Sequence, residues 1–244
     1  MGNGSKGHSG ADDPVPGAEP TGRRADGAQT LERGLLVLRA LADAPQGLTA
    51  SEVAARLGVH RSVAYRLLQA LARTGFAART GTRYRIGAEL VALGQRVRPG
   101  LRQAAEPILA DLADRTGSSA CLLVRDGEHA VAITVTQPST TTTHLSYRVG
   151  SRDALDRGAG SIAVQAAGPV SADDSDRVRA ARREGFVLSS EEVTPGTHAV
   201  AAPIRTTHPD GPAAVTLITH RRETAEGAVD AVVAAAARIG AALG

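Results

Sequence analysis

The spacing of apolar residues lays out the first third of the chain. Leu31, Leu35, Leu38 and Leu41 recur at three- and four-residue steps, so they share one face of a helix over about Leu31–Ala44, which Pro45-Gln46-Gly47 ends. A second helix opens at Thr49, an N-cap residue with Glu52 at the capping-box spacing; Val53 and Leu57 face inward and Gly58 stops it. After the tight turn Gly58-Val59-His60, a third helix covers about Arg61–Arg73. Ala64, Leu67, Leu68 and Leu71 fall on one side of it, with Val63 at the border, and Arg61, Ser62, Tyr65, Arg66 and Gln69 fall on the other. Gly75 suits its C-terminal cap. Two short strands, Phe76–Arg79 and Arg83–Ile86, read as a hairpin around Thr80-Gly81-Thr82. A helix over about Ala88–Arg98 then leads to Pro99-Gly100, a punctuation that marks a domain boundary.

The pattern changes in the second half. Leu101–Thr116 is amphipathic at helical spacing. Ala120–Arg125 and Ala130–Val135 read as strands around Asp126-Gly127, a strong hairpin signal, and Leu145–Val149 reads as a third strand. Ser161–Ala167 and Asp174–Glu184 are helical, Ala199–Ile204 and Ala213–Thr219 are strands, and Thr224–Leu243 is a final Ala/Val-rich helix. Strands followed by helices in this order predict an antiparallel sheet with helices packed on it, so the fold class is α+β. Residues 1–28 are rich in Gly, Pro, Ser and Asp, with almost no large apolar group, and are expected to form a disordered tail. The expected domains are 29–87, a linker helix over 88–100, and 101–244.

Charge sharpens the picture of the first domain. The net charge is +3, but residues 29–98 hold eleven Arg and four acids, and the stretch between Glu52 and Glu89 holds seven Arg and no acid. A compact cationic segment attracts a polyanion, most simply nucleic acid. Three short helices and a hairpin make a winged helix-turn-helix, whose third helix offers a polar face to a major groove. Arg61 and Arg66 are then candidates for guanine edges or phosphates, Gln69 for adenine, and Ser62 and Tyr65 for phosphates; Thr49 at the helix start and Arg79, Arg83 and Arg85 on the hairpin complete the candidate interface. The bland alternative, a solvated Arg-rich face, has to account for the capping box, the Gly58 turn, the hairpin and the acid-free run together.

Composition narrows the remaining choices. The one cysteine, Cys121, excludes a disulfide framework and a multi-cysteine zinc site and reads as inert core. Three Tyr and two Phe argue against stacking platforms for single-stranded nucleic acid. The nearly apolar stretch Ala228–Leu243 is interrupted by Asp230 and Arg238 and is too short to span a bilayer, and the N-terminus lacks the apolar core of a secretory signal. The seven His are scattered without metal-site spacing, and no Gly-x-Ser-x-Gly or phosphate-binding loop occurs. The hydroxyl run Ser139–Thr143 reads as a loop or an edge strand. Glu191-Glu192 could pair as catalytic carboxylates, but adjacent side chains usually point apart. No cofactor, metal or catalytic residue is expected.

Residues 31–87 resemble the DNA-binding half of IclR-type bacterial transcriptional regulators. The markers are Leu31-Glu32-Arg33-Gly34, the helix start Gly47-Leu48-Thr49, Arg61-Ser62 with Tyr65-Arg66-Leu67-Leu68, and the hairpin end Tyr84-Arg85-Ile86-Gly87. His60 stands where the family usually has Pro, and Val63 where it usually has a hydroxyl residue. A weaker resemblance continues to the family's GAF-like effector domain through Thr116-Gly117, Asp126-Gly127, Val149-Gly150-Ser151-Arg152, Arg183-Glu184-Gly185-Phe186, Glu191-Glu192 and Ala201-Ala202-Pro203. There the departures are larger. Asp153-Ala154-Leu155-Asp156 replaces Leu-Pro-Leu-His, Ser161-Ile162 replaces Gly-Lys, and Ser189-Ser190 stands before the glutamates. The resemblance implies an effector pocket lined by Ala159, Gly160, Ser189, Ala199 and Thr216, without an obvious cation for a carboxylate; Arg152 and Arg157 are merely near in sequence.

Together these readings imply a cytoplasmic, homo-oligomeric regulator that binds a palindromic double-stranded DNA operator and responds to a small organic effector. Two other classes stay open at this point: an enzyme that processes a small molecule and carries a fused nucleic-acid-binding domain, and an RNA-binding protein.

Overall fold

The computed structural model describes residues 1–2, 21–139, 147–207 and 211–244. The chain divides into two compact units, Met1–Gly94 and Gln95–Gly244. His8, His144 and His208 lie outside the described residues, as does most of the hydroxyl run and residues 3–20 of the expected tail.

The first unit contains α1 (Thr21–Ala42), β1 (Leu48–Thr49), α2 (Ala50–Leu57), α3 (Arg61–Arg73), β2 (Ala77–Thr80) and β3 (Arg83–Ile86); α4 (Glu89–Gln95) closes it. The expected tail is corrected here: α1 starts at Thr21, ahead of residue 28. Once Val37 and Leu41 are packed, each further residue adds a helical hydrogen bond at low cost, so the helix propagates backward through Arg- and Ala-containing sequence. The leucine stripe is also only half used. Leu41 is buried and Leu38 half-buried, but Leu31 and Leu35 are exposed, because the core begins at Val37. Around that core pack Leu48, Val53, Ala64, Leu67, Leu68 and Tyr84. The two residues of β1 were not anticipated; they pair with β3, so the small sheet runs β1-β3-β2.

Glycine decides two connections in this unit. Gly58 ends α2 in the left-handed region (φ 63°), and its amide donates to the Ala54 carbonyl, which frees the chain to turn into α3. Gly87, just past β3, lies against the backbone of Gly75 and Phe76, so close that no side chain fits. Its amide donates to the Phe76 carbonyl, which ties the end of the hairpin to the end of α3.

The second unit is a six-stranded antiparallel sheet in the order β6-β5-β4-β9-β8-β7. Its elements are α5 (Pro99–Thr116), β4 (Ser119–Asp126), β5 (His129–Thr136), β6 (Arg152–Ala154), α6 (Ala159–Ala167), α7 (Asp176–Glu184), β7 (Val187–Ser190), β8 (His198–Ile204), β9 (Ala213–Thr219), α8 (Arg222–Gly227) and α9 (Val229–Leu243). Alternate residues of the central strands enter two different cores. Leu122, Val124, Val200, Ala202, Val215 and Leu217 pack with α5 and α9. Cys121, Leu123, Ala201 and Ala214 pack with α6 and α7 on the other side. Burial on both faces is why these strands read as continuous apolar runs.

Three expectations change in this unit. Residues 147–149 are not a strand: the Ser151 amide closes a turn on the Arg148 carbonyl at 2.9 Å, Gly150 and Ser151 then bond the backbone of Ala132 on β5, and the regular ladder runs from Arg152. The final helix is broken at Ala228, where α8 ends, and α9 restarts with Val232, Ala236 and Ile239 buried on the sheet. The edge strand β7 went unread, since Val187-Leu188 is too short an apolar run to show a period. No helix among the described residues is long and apolar enough to cross a membrane.

Candidate nucleic-acid interface and small-molecule cavity

The third helix is positioned by its caps and by one buried face. His60 is its N-cap: the imidazole Nδ1 accepts the Ser62 amide at 3.3 Å and lies 2.8 Å from the Ser62 hydroxyl. The residue that departs from the family pattern thus supplies a cap, a role that helix periodicity does not reveal. Ala64, Leu67 and Leu68 hold α3 against the core. Arg61, Tyr65 and Arg66 point outward, exposed, and none makes a hydrogen bond or ion pair among the described residues; the same holds for Arg85 on β3. Of the predicted interface residues, these four have side chains without a partner among the described residues.

The other predicted interface residues are already engaged. Thr49 caps α2 through a complete box: its hydroxyl accepts the Glu52 amide at 3.3 Å, and its amide donates to Glu52 Oε2 at 2.7 Å. The Thr49 amide foremost, with Arg83 and Arg56 behind it, holds the Glu52 carboxyl below the ordinary carboxylate range. Arg83 donates to the Gly47 carbonyl at 2.8 Å and pairs with Glu52 at 3.3 Å, bracing the hairpin against the start of α2. Gln69 is half-buried, and its amide donates to the Tyr84 hydroxyl at 2.9 Å, joining α3 to the hairpin. Arg79 lies 5.7 Å from the centre of the Tyr84 ring, a cation–π distance, and also donates to the Gly81 carbonyl.

In the second unit, all five predicted pocket residues line one cavity of about 100 Å³. Ala159 and Gly160 open α6. Ser189 on β7 pairs with Ala199 on β8, and Ala199 lies across from Ile218, two residues beyond Thr216 on β9. Leu123, Val193 and Ile218 add apolar wall. Two hydroxyls stand out. Ser161 Oγ and Thr216 Oγ1 are buried, have no hydrogen-bond partner among the described residues, and belong to the cavity lining. A buried polar atom without a partner is uncommon and marks a place where a ligand or water can bond. Gly160 makes this possible, because a Cβ there would fall 2.9 Å from Thr216 Oγ1.

Sequence reasoning missed the acidic part of this cavity. Tyr147 donates to Asp153 Oδ2 at 2.6 Å, and burial together with that bond pushes the Tyr147 hydroxyl far up, so it stays a donor. Glu191 and Glu192 do point apart. Glu192 lines the cavity and pairs with Arg177 through both oxygens at 2.9 Å, whereas Glu191 bonds the Gly196 amide. Neither Arg152 nor Arg157 lines the cavity, and Arg152 is paired with Asp126 at 2.8 Å. Cys121 lies under the same face of the sheet, and burial pushes its thiol up to about 12, in keeping with inert core.

Comparisons with known proteins bear on both units. Residues 30–81 match the IclR helix-turn-helix domain. The chain is 34% identical over 115 residues to an HTH-type transcriptional regulator of Mycobacterium tuberculosis, a match covering 46% of this chain and 44% of that protein. The chain thus spans less than half the length of the curated relatives it matches first. Among solved structures, it resembles the IclR protein of Thermotoga maritima with a TM-score of 0.69 and 25% identity, over 89% of this chain and 99% of that one. It also resembles an IclR homologue of Microbacterium hydrocarbonoxydans in complex with 4-hydroxybenzoate, with a TM-score of 0.72 and 22% identity over 88% and 98% of the two chains. Residues 30–81 thus carry an IclR helix-turn-helix domain, and the α+β fold of the chain is that of solved IclR structures.

Proposed function

We propose that the protein is a transcriptional regulator that acts as a homodimer or higher oligomer on a palindromic operator, in the cytoplasm, and not as a catalyst. The observation that carries this reading is the outward face of α3, where Arg61, Tyr65 and Arg66 are exposed and free of partners among the described residues beside a braced hairpin bearing Arg85. A helix packed on one face and cationic on the other suits the major groove, with guanidinium groups for guanine edges and phosphates. Ser62, beside its cap, remains exposed and suits a phosphate. Gln69 and Arg83 serve by fixing the helix and the hairpin relative to one another. Two copies would place two such helices about 34 Å apart in successive grooves. The exposed Leu31, Leu35 and Leu36 on α1 support self-association, since leucines grouped on one element are commonly covered by a partner.

The cavity of the second unit is the proposed effector site. Apolar walls with a few aimed polar groups suit a small molecule, and the Microbacterium hydrocarbonoxydans homologue is known in complex with one. An effector changes DNA affinity only through different affinity for two states of the protein. The test is footprinting of the purified chain on genomic DNA at several salt concentrations. Protected palindromes, with affinity falling steeply as salt rises, are expected. No binding to any duplex at low ionic strength would refute the regulator.

A further inference from the structure

Resting on the reading of the cavity as the effector site, we infer that its ligand is a small amine or alcohol, a hydrogen-bond donor without negative charge, and that a carboxylate is excluded. The lining includes two carboxylates, Asp153 and Glu192, and no Lys or Arg among the described residues. Two nearby guanidinium groups are engaged, and His220, which also lines the cavity, has its Nδ1 on the Gly196 carbonyl at 2.9 Å. Arg177 is engaged by both oxygens of Glu192, and Arg152 by Asp126. Asp153 receives one hydrogen bond, from the neutral Tyr147 hydroxyl, and has no cationic partner among the described residues. Its remaining lone pairs suit a donor.

The feature that would favour an anion is the start of α6, which opens on the cavity. Helix N-termini attract negative charge through their free amides and dipole. Here the protein supplies that charge itself: Glu192 Oε2 accepts the Gly158 amide at 2.8 Å, and Ser189 Oγ accepts the next amide, Ala159, at 3.0 Å. The Arg177 guanidinium, together with the Gly158 amide and against partial burial, holds the Glu192 carboxyl below its ordinary range, so it is ionised at neutral pH. The start of α6 is thus already occupied, the Glu192–Arg177 pair offers no net positive charge to an anion, and a ligand carboxylate would meet Asp153, which has no cationic partner among the described residues, in a partly enclosed space where like charges repel. Size sets a second limit. The cavity of about 100 Å³ lies below the roughly 150 Å³ that hold benzene in an engineered cavity. A short chain or a single small ring reaching toward the open side is the upper bound. The buried hydroxyls of Ser161 and Thr216 then bond its polar groups.

The test is calorimetric titration of the full chain with benzylamine, benzyl alcohol and benzoate, which share a ring and differ in the head group. The amine and alcohol should bind, and benzoate about tenfold more weakly or worse. In Glu192→Gln, checked for folding by its melting temperature, benzoate should gain on the alcohol. In Asp153→Asn, the amine should lose its advantage over the alcohol. Benzoate binding as tightly as the alcohol to the unaltered chain overturns the inference while leaving the effector site standing. If none of the three binds, the effector reading of the cavity falls, and this inference with it.

Discussion

Arg66 and Gln69 sit three residues apart on α3, and their surroundings give them different work. Arg66 is exposed and unpaired among the described residues, so its guanidinium is available to DNA. Replacing it with Ala should weaken operator binding by about 1–3 kcal/mol if it reads a base, and leave the melting temperature unchanged. Equal operator affinity in titrations of the two proteins would remove Arg66 from the interface. Gln69 is held by Tyr84, so Gln69→Ala should act first on stability, by about 1 kcal/mol in urea unfolding. The sequence grouped the two residues, because helical periodicity reports which face a residue occupies. It does not report whether a neighbouring strand has already claimed the side chain. Cys121 shows the opposite case, since its place in an apolar strand pattern already marked it as core. Its thiol, pushed up to about 12 by burial, should resist alkylation at pH 8 in the folded protein and react promptly in denaturant. Rapid labelling of the native chain would contradict that placement.

At the scale of elements, the signals that survived are those written locally. The Thr49-to-Glu52 spacing predicted a capping box, and both of its hydrogen bonds are present. Thr49→Ala should cost about 1 kcal/mol of stability, measured by denaturant unfolding. The box also has a pH signature. The Glu52 carboxyl is depressed in the folded state. Its contribution is therefore complete above the ordinary carboxylate value and is lost as pH falls through the lower folded value. Between neutral pH and about pH 3, the melting temperature of Glu52→Gln should fall less than that of the unaltered chain; equal falls would show that the box adds nothing pH-dependent. The elements that escaped the sequence are those with no local signal. The two residues of β1 and the four of β7 are strands only because β3 and β8 lie alongside. The start of α1 moved to Thr21 because a packed helix can extend through sequence that would not nucleate one.

For the whole molecule, self-association is the feature that the exposed leucines of α1 make testable. Leu35 is 54% exposed and Leu31 66%. Leu35→Asp should raise the dimer dissociation constant by about tenfold or more, roughly 1.4 kcal/mol, in sedimentation experiments. A mass distribution identical to that of the unaltered chain would move the interface elsewhere. The sequence by itself determined the α+β class, the basic helix with its turn and hairpin, and the five residues that gather at the cavity. Periodicity, caps and glycine positions are properties of neighbouring residues, and the family resemblance placed the rest. Only the tertiary structure decided which polar side chains are spent and which remain free. It set Glu192 at the mouth of α6 through Arg177 and Gly158, residues 15 and 34 positions away. It left the Ser161 and Thr216 hydroxyls without a partner among the described residues, in a shared space. Hydrogen bonds between distant segments exist only after the chain has folded, and the electrostatic character of a cavity is the sum of such bonds.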